Sequence, residues 1–313
     1  MNKIWYFEGN TSGFFSTFCT LLDGLLWCEQ NGYTPMVKWG GANERSFKPQ
    51  YWSKDGYNGA DNTWEYYFEP IECEIKDGDE VMRVKDKMML RDIPISFGHK
   101  NIQRYNWYRH AKPQILTDEW ARKGKQLIDK YIKVRPEVNE KVTKFTNNNF
   151  KDKFVIGMHC RGGGNFKELH HGDNIRLDYY VRAVNEIIAT RELSEEDYVV
   201  YIASDNKEAV NYMINNLSNV VYYPCHRIEN HYRYGKSRSE VEQLENRKGY
   251  SRAEDQLFPN KRAVLGEEAL VEALLLSKCD VMCHHESQLS IAAAYFNPEL
   301  KRIHLEKYYT GEK

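Results

Sequence analysis

Apolar residues along this chain fall in short runs that alternate with amphipathic stretches, in a repeating order. Ile4 to Phe7 (IWYF) is an apolar and aromatic run suited to a buried strand. A small polar turn follows, Glu8-Gly9-Asn10-Thr11-Ser12-Gly13, and then apolar positions at helical spacing continue through Trp27. Gly32 is placed to stop that helix, and Pro35 to Trp39 reads as the next strand. Strand, glycine-bearing turn, helix, strand is the order of a βαβ unit. Residues 40–72 show no clear period and read as an ordered surface loop closed by Trp64-Glu65-Tyr66-Tyr67-Phe68. Residues 113–150 are helical in pattern, with a capped start at Thr117-Asp118-Glu119-Trp120 and a second helix opened by Pro136.

The order then restarts. Phe154 to Cys160 reads as a strand, Gly162-Gly163-Gly164 as a turn and Leu177 to Ile188 as a helix. Tyr198 to Ala203 is a strand, 207–216 a helix, Val220 to Tyr223 a strand. Residues 226–262 break the pattern with charges of both signs, as in a solvated loop or mobile helix; an acceptor-binding flap is the functional alternative. The order resumes with a helix at 267–277, a strand from Cys279 to Cys283, a helix at 288–296 and a strand from Arg302 to Leu305. The expected architecture is α/β, two Rossmann-like doubly wound domains facing a cleft. The polar Asn147-Asn148-Asn149 marks the boundary, giving an acceptor-side domain over 1–150 and a nucleotide-sugar domain over 151–313.

The chain has 313 residues, 44 Lys+Arg against 45 Asp+Glu, and 41% hydrophobic residues. That composition supports a packed core, and a net charge of −1 argues against a general nucleic-acid binder. Aromatics reach 13%, and those in the 51–68 loop are expected to stack on an acceptor sugar. The N-terminus shows no secretory pattern, and the apolar stretch from Gly13 to Cys28 carries Asp23 and is too short to span a bilayer. Seven cysteines without framework spacing fit a reducing cytoplasm, with the protein either free there or peripheral to a membrane that carries the acceptor. Cys279, Cys283, His284 and His285 lack a second ligand pair at zinc-finger spacing and read as structural.

Chemistry gathers at strand ends. His159-Cys160-Arg161-Gly162-Gly163-Gly164 follows an apolar strand, so its polar groups emerge where open α/β sheets bind ligands. Glycines allow close backbone approach to a phosphate, and Arg161 can fork onto its oxygens. The triplet is neither a Walker loop nor a dinucleotide fingerprint. Ser204-Asp205-Asn206 ends the second strand, and Glu286-Ser287-Gln288 leads into a helix whose first N–H groups suit an anion.

Together the strand before His159-Cys160-Arg161, the Ala203-Ser204-Asp205-Asn206 strand end and VEALLLSKCDVMCHHESQLS at 271–290 resemble the three motifs of the α1,6-fucosyltransferase and protein O-fucosyltransferase superfamily. The resemblance is best over 154–305 and patchy over 1–150. It implies a GT-B fold and an inverting, metal-independent glycosyltransferase of glycan biosynthesis, using a GDP-sugar, usually GDP-fucose, and no further cofactor. By the same resemblance Arg161 neutralises the β-phosphate of the leaving GDP, with His159, Gly162, Gly163, Asp205, Ser287 and Gln288 around the nucleotide. Glu272 stands where some relatives hold guanine with an Asp, and Gly162 stands where they commonly have a second basic residue. Relatives place a catalytic carboxylate shortly after the first motif. Glu168 fits that spacing, with Asp173, His170 and His171 as competitors.

Two rival readings have their own residues. Asp77-Gly78-Asp79 is formally the Asp-x-Asp triplet of metal-dependent glycosyltransferases using other nucleotide sugars, but Asp-Gly between alternating apolar residues reads better as a hairpin turn. A non-catalytic glycan-binding module would use the aromatic loop and leave the strand ends idle.

Overall fold

The computed structural model describes residues 1–9, 13–39, 51–53, 55–84, 116–160, 176–227, 260–285 and 287–308. The chain divides into two compact units: residues 1–140 with 255–271, and residues 141–254 with 272–313.

In the first unit the IWYF run becomes β1 (Lys3–Phe7), flanked by β2 (Thr34–Val37) and β3 (Glu80–Val84) in a parallel sheet of order β2-β1-β3. Ile4 pairs with Thr34 on one side and Val81 on the other. The helix α1 (Phe14–Asn31) ends where Gly32 adopts φ 69°, a left-handed conformation that costs glycine little. Mid-helix Gly24 serves packing instead. A Cβ there would fall 2.1 Å from the Trp5 indole, so the missing side chain lets α1 lie against β1. Two further helices, α2 (Asp118–Tyr131) and α3 (Pro136–Asn149), start where the caps were expected; Thr117 accepts from the Trp120 N–H.

Two expectations change here. The Asp77-Gly78 turn forms, with the Asp79 N–H donating to Lys76 O at 3.1 Å and Gly78 at φ 90°. However, residues 71–76 form no strand, and β3 pairs in parallel with β1, so the turn opens a strand and joins no hairpin. The aromatics at 64–68 are core. Trp64, Tyr66, Tyr67 and Phe68 are fully buried, Trp64 stacks on Phe68 at 4.2 Å, and Phe14 meets Tyr67 edge-on at 5.0 Å. They close the space over α1 and offer no platform to a sugar. Tyr67 OH also donates to Ala263 O at 3.0 Å, in helix α6 (Lys261–Leu276).

The second unit holds five parallel strands: β4 (Phe154–His159), β5 (Tyr198–Ala203), β6 (Val220–Tyr222), β7 (Val281–His284) and β8 (Lys301–His304), ordered β6-β5-β4-β7-β8. Helices α4 (Leu177–Thr190), α5 (Lys207–Asn216) and α7 (Gln288–Phe296) complete it with the end of α6. Alternate residues of β4 serve opposite faces. Ile156 and Met158 join Tyr180, Val184, Val210 and Met213 in one core, whereas Gly157 leaves room for Cys279 and Leu276. Counted from β4, the strand order is 3-2-1-4-5, so the chain reverses direction across the sheet between β4 and β7. That reversal is the topological switch point of an open α/β sheet.

Gly24→Ala should lower the unfolding free energy by about 1–3 kcal/mol through overpacking against Trp5, read as a reduced urea midpoint at unchanged slope.

Candidate functional site

The carboxyl ends of β4, β5 and β7 are tied together by side chains. His159, the last residue of β4, meets Ser287 Oγ through its Nδ1 at 3.1 Å across the switch point. Ser287 also caps α7: its hydroxyl accepts the Ser290 N–H, and Ser290 Oγ accepts the Ser287 N–H, both at 3.2 Å. On the other side of β4, Ser204 Oγ donates to Cys160 O at 2.6 Å. Asn206 then caps α5 by accepting the Ala209 N–H at 3.1 Å. Tyr180 OH fixes the His159 carbonyl at 2.8 Å.

This edge leaves buried polar atoms unanswered. Asn206 Nδ2, Gln288 Oε1 and both ring nitrogens of His284 are buried with no hydrogen-bond partner. Pairing register places His284 between His159 and His304, so three histidines cross three adjacent strands in one row. Burial holds His284 well below the ordinary imidazole range, helped by His304 and His159, and burial alone lowers His304 to about 4. Those two imidazoles are therefore neutral at physiological pH. They can share hydrogen bonds without adding positive charge.

Glu272, on α6, is buried beside the β5 end. Its Oε1 accepts from Arg227 Nη2 at 3.3 Å and from Cys225 Sγ at 3.2 Å. Burial raises its carboxyl from 4.5 to about 7; Arg227, the Cys225 thiol and the Ser204 backbone act against that rise, and Asp205 adds to it. Arg227 itself is fixed by the carbonyls of Cys225 at 3.1 Å and Tyr223 at 2.7 Å.

Of the residues singled out in the sequence, His159, Asp205, Glu272, Ser287 and Gln288 all belong to this unit and sit at its carboxyl edge. His159 touches Ser287 directly, and Asp205 acts on Glu272 electrostatically. Arg161, Gly162, Gly163, Glu168, His170, His171 and Asp173 lie outside the described residues, as do 228–259 of the charged segment. Asp77 and Asp79 belong to the first unit, at the amino end of β3, opposite to where parallel sheets take ligands. There Asp79 accepts from the Asn2 and Lys76 N–H groups at 2.8 and 2.9 Å, which lowers its carboxyl. Cys279 and Cys283 are buried thiols, Cys279 against Gly157 and Cys283 in the α4–α5 core. Arg227 escaped the sequence reading, although it follows the apolar strand β6 just as Asp205 follows β5.

No protein-family model matches the chain, and no curated protein matches it. Solved structures do. The chain is similar to NodZ α-1,6-fucosyltransferase soaked with GDP-fucose, with TM-score 0.51, 16% identity, and coverage of 96% of this chain and 93% of that one. NodZ co-crystallised with GDP matches at TM-score 0.50 and 16% identity, covering 94% and 92%. The selenomethionine form of NodZ from Bradyrhizobium matches at TM-score 0.51 and 14% identity, covering 94% and 92%. The fold is accordingly α/β of the GT-B kind. More narrowly, it is similar to the fold of those NodZ structures.

Replacing Glu272 by Gln removes a group whose folded pKa lies above its unfolded value, so the wild type loses stability as pH rises from 4.5 through 7. The unfolding free energy of Glu272→Gln minus that of wild type should climb over this window by on the order of 3 kcal/mol, then level off. Urea titrations at pH 5 and pH 8 check the sign.

Proposed function

We propose that this chain is an inverting glycosyltransferase that transfers fucose from GDP-fucose to a glycan acceptor. The observation that carries the reading is the switch point between β4 and β7, where His159, Ser287 and the start of α7 converge. A helix N-terminus at the carboxyl edge of a parallel sheet favours a diphosphate. The fold likeness to structures holding GDP-fucose and GDP supports that choice of donor.

In this reading Ser287 and Gln288 face the diphosphate, and Asp205 and Glu272 lie toward the nucleoside. Arg161, with the Gly162 and Gly163 backbone, meets the charge on the departing β-phosphate. The acceptor hydroxyl oxygen attacks the anomeric carbon as the bond to the phosphate oxygen breaks. The hydroxyl proton passes to Glu168, and GDP leaves with its new charge against the Arg161 guanidinium. A single displacement inverts the anomeric centre. The same guanidinium takes the place a divalent cation holds in metal-dependent relatives, and the Asp79 carboxylate is occupied by backbone N–H groups. The N-terminal 1–150 contributes the acceptor side. Seven free cysteines are consistent with work in a reducing cytoplasm, and among the described residues no helix is long and apolar enough to cross a membrane.

Thermal shift with GDP, UDP, CMP and ADP in the presence of EDTA tests the donor. GDP should stabilise the protein selectively, by about 2.7 kcal/mol at a hundred times its Kd. A UDP preference, or binding only with added metal, would refute the reading, as would a response to oligosaccharide alone. Arg161→Ala should keep the melting temperature while transfer from GDP-fucose, followed by product mass, falls by about a hundredfold or more, on the order expected for a lost charge-stabilising donor.

A further inference from the structure

Arg227 is a buried guanidinium with an incomplete set of partners. Its side chain is 8% exposed, like that of Glu272. Nη1 donates to Cys225 O at 3.1 Å, and Nη2 donates to Tyr223 O at 2.7 Å and to Glu272 Oε1 at 3.3 Å. The guanidinium carbon stands 5.1 Å from the centre of the Tyr222 ring. Nε, which shares the side-on fork with Nη2, is buried and has no acceptor. Buried donors in folded proteins are almost always answered, so an orphan on a charged group beside a carboxylate points to a missing ligand acceptor. The five residues 223–227 run from the end of β6, and the carboxylate lies against Ser204 and Asp205 at the end of β5. A carboxylate and a guanidinium edge side by side offer acceptors next to a donor.

We infer that Arg227 reads the nucleotide base together with Glu272: the carboxylate accepts the N1–H and 2-amino groups of guanine, and Arg227 Nε–H donates to O6. The inference rests on the GDP-sugar reading and adds a specificity-determining residue to it. Guanine carries donors at N1 and N2 next to an acceptor at O6. Adenine reverses this edge, setting an amino group against the guanidinium and a lone pair against the carboxylate. Such a mismatch leaves buried partners unpaired on both sides, which is how a polar site rejects a near-isostere. Arg227 also opposes the rise that burial imposes on the Glu272 carboxyl, favouring the ionised form that accepts hydrogen bonds.

The test compares calorimetric affinities of the full chain for GDP, IDP and 6-thio-GDP. IDP lacks the 2-amino group and reports on Glu272. In 6-thio-GDP a weakly accepting sulfur replaces O6 while N1–H and the 2-amino group remain, so it reports on Arg227. Wild type should prefer GDP over 6-thio-GDP by about tenfold, the worth of one hydrogen bond to a charged group. Arg227→Lys keeps a cation near Glu272 but has no Nε–H fork. It should bind the two alike while preserving the preference for GDP over IDP, a pattern that a merely structural arginine would not produce. Equal wild-type affinity for GDP and 6-thio-GDP overturns the inference whether or not the variant folds. Undiminished discrimination by Arg227→Lys overturns it as well. Failure of wild type to bind GDP while another nucleotide binds is a different result, and defeats the donor reading itself.

Discussion

One serine hydroxyl holds the working edge of the second unit. Ser287 must cap α7 to end β7 cleanly, and the same Oγ meets His159 on the neighbouring strand. Because β4 and β7 part at this point, nothing in the sheet ladder beyond them would fix the distance between their ends. The Ser287–His159 contact does so, and Ser204 acts in the same way toward β5 by bonding to Cys160 O. A parallel sheet whose strand ends are pinned by side chains is pre-organised for a ligand.

Burial then shapes the electrostatics of that edge. It strips charge from His284 and His304, since an imidazolium in that row would meet like charge and no water. It also raises the Glu272 carboxyl, a rise that Arg227, Cys225 and the Ser204 backbone oppose. The edge thus combines neutral imidazoles with a carboxylate paired to a buried guanidinium. That distribution fits a chain whose net charge is −1.

Much of the fold was legible from periodicity because the central strands of the second unit, β4, β5 and β7, are buried on both faces and read as largely apolar runs, as in YVVYIA. Element limits were less legible where a polar side chain has a structural role. The strand read from Cys279 begins at Val281, because Asp280 commits its carboxylate to the Val155 N–H at 2.7 Å. The helix read from residue 267 begins earlier, at Lys261. The strand-end rule found His159, Asp205 and Ser287 but passed over Arg227, hidden by the charge density that follows it. At 64–68 aromatic content misled for a simple reason: composition counts rings and does not say which way they face, whereas Tyr51, Trp52 and Tyr57 of the same loop are half-buried. Trp64, Tyr66, Tyr67 and Phe68 all face inward.

The bond from Tyr67 to Ala263 joins residues 196 positions apart, and a Cβ on Gly266 would stand 2.3 Å from the same Tyr67 hydroxyl. Tyr57 OH reaches Glu267 at 3.1 Å across a similar span. The aromatic core of the first unit is therefore finished by a helix made late in translation. Until the ribosome has delivered residues 261–267, that core stays open on one side and its tyrosines lack their acceptors. Non-local closure of this kind slows folding and prolongs exposure of apolar surface. An amino-terminal fragment cut before α6 would emerge as a nascent chain with an unsealed aromatic face, a substrate for chaperones before it is a domain.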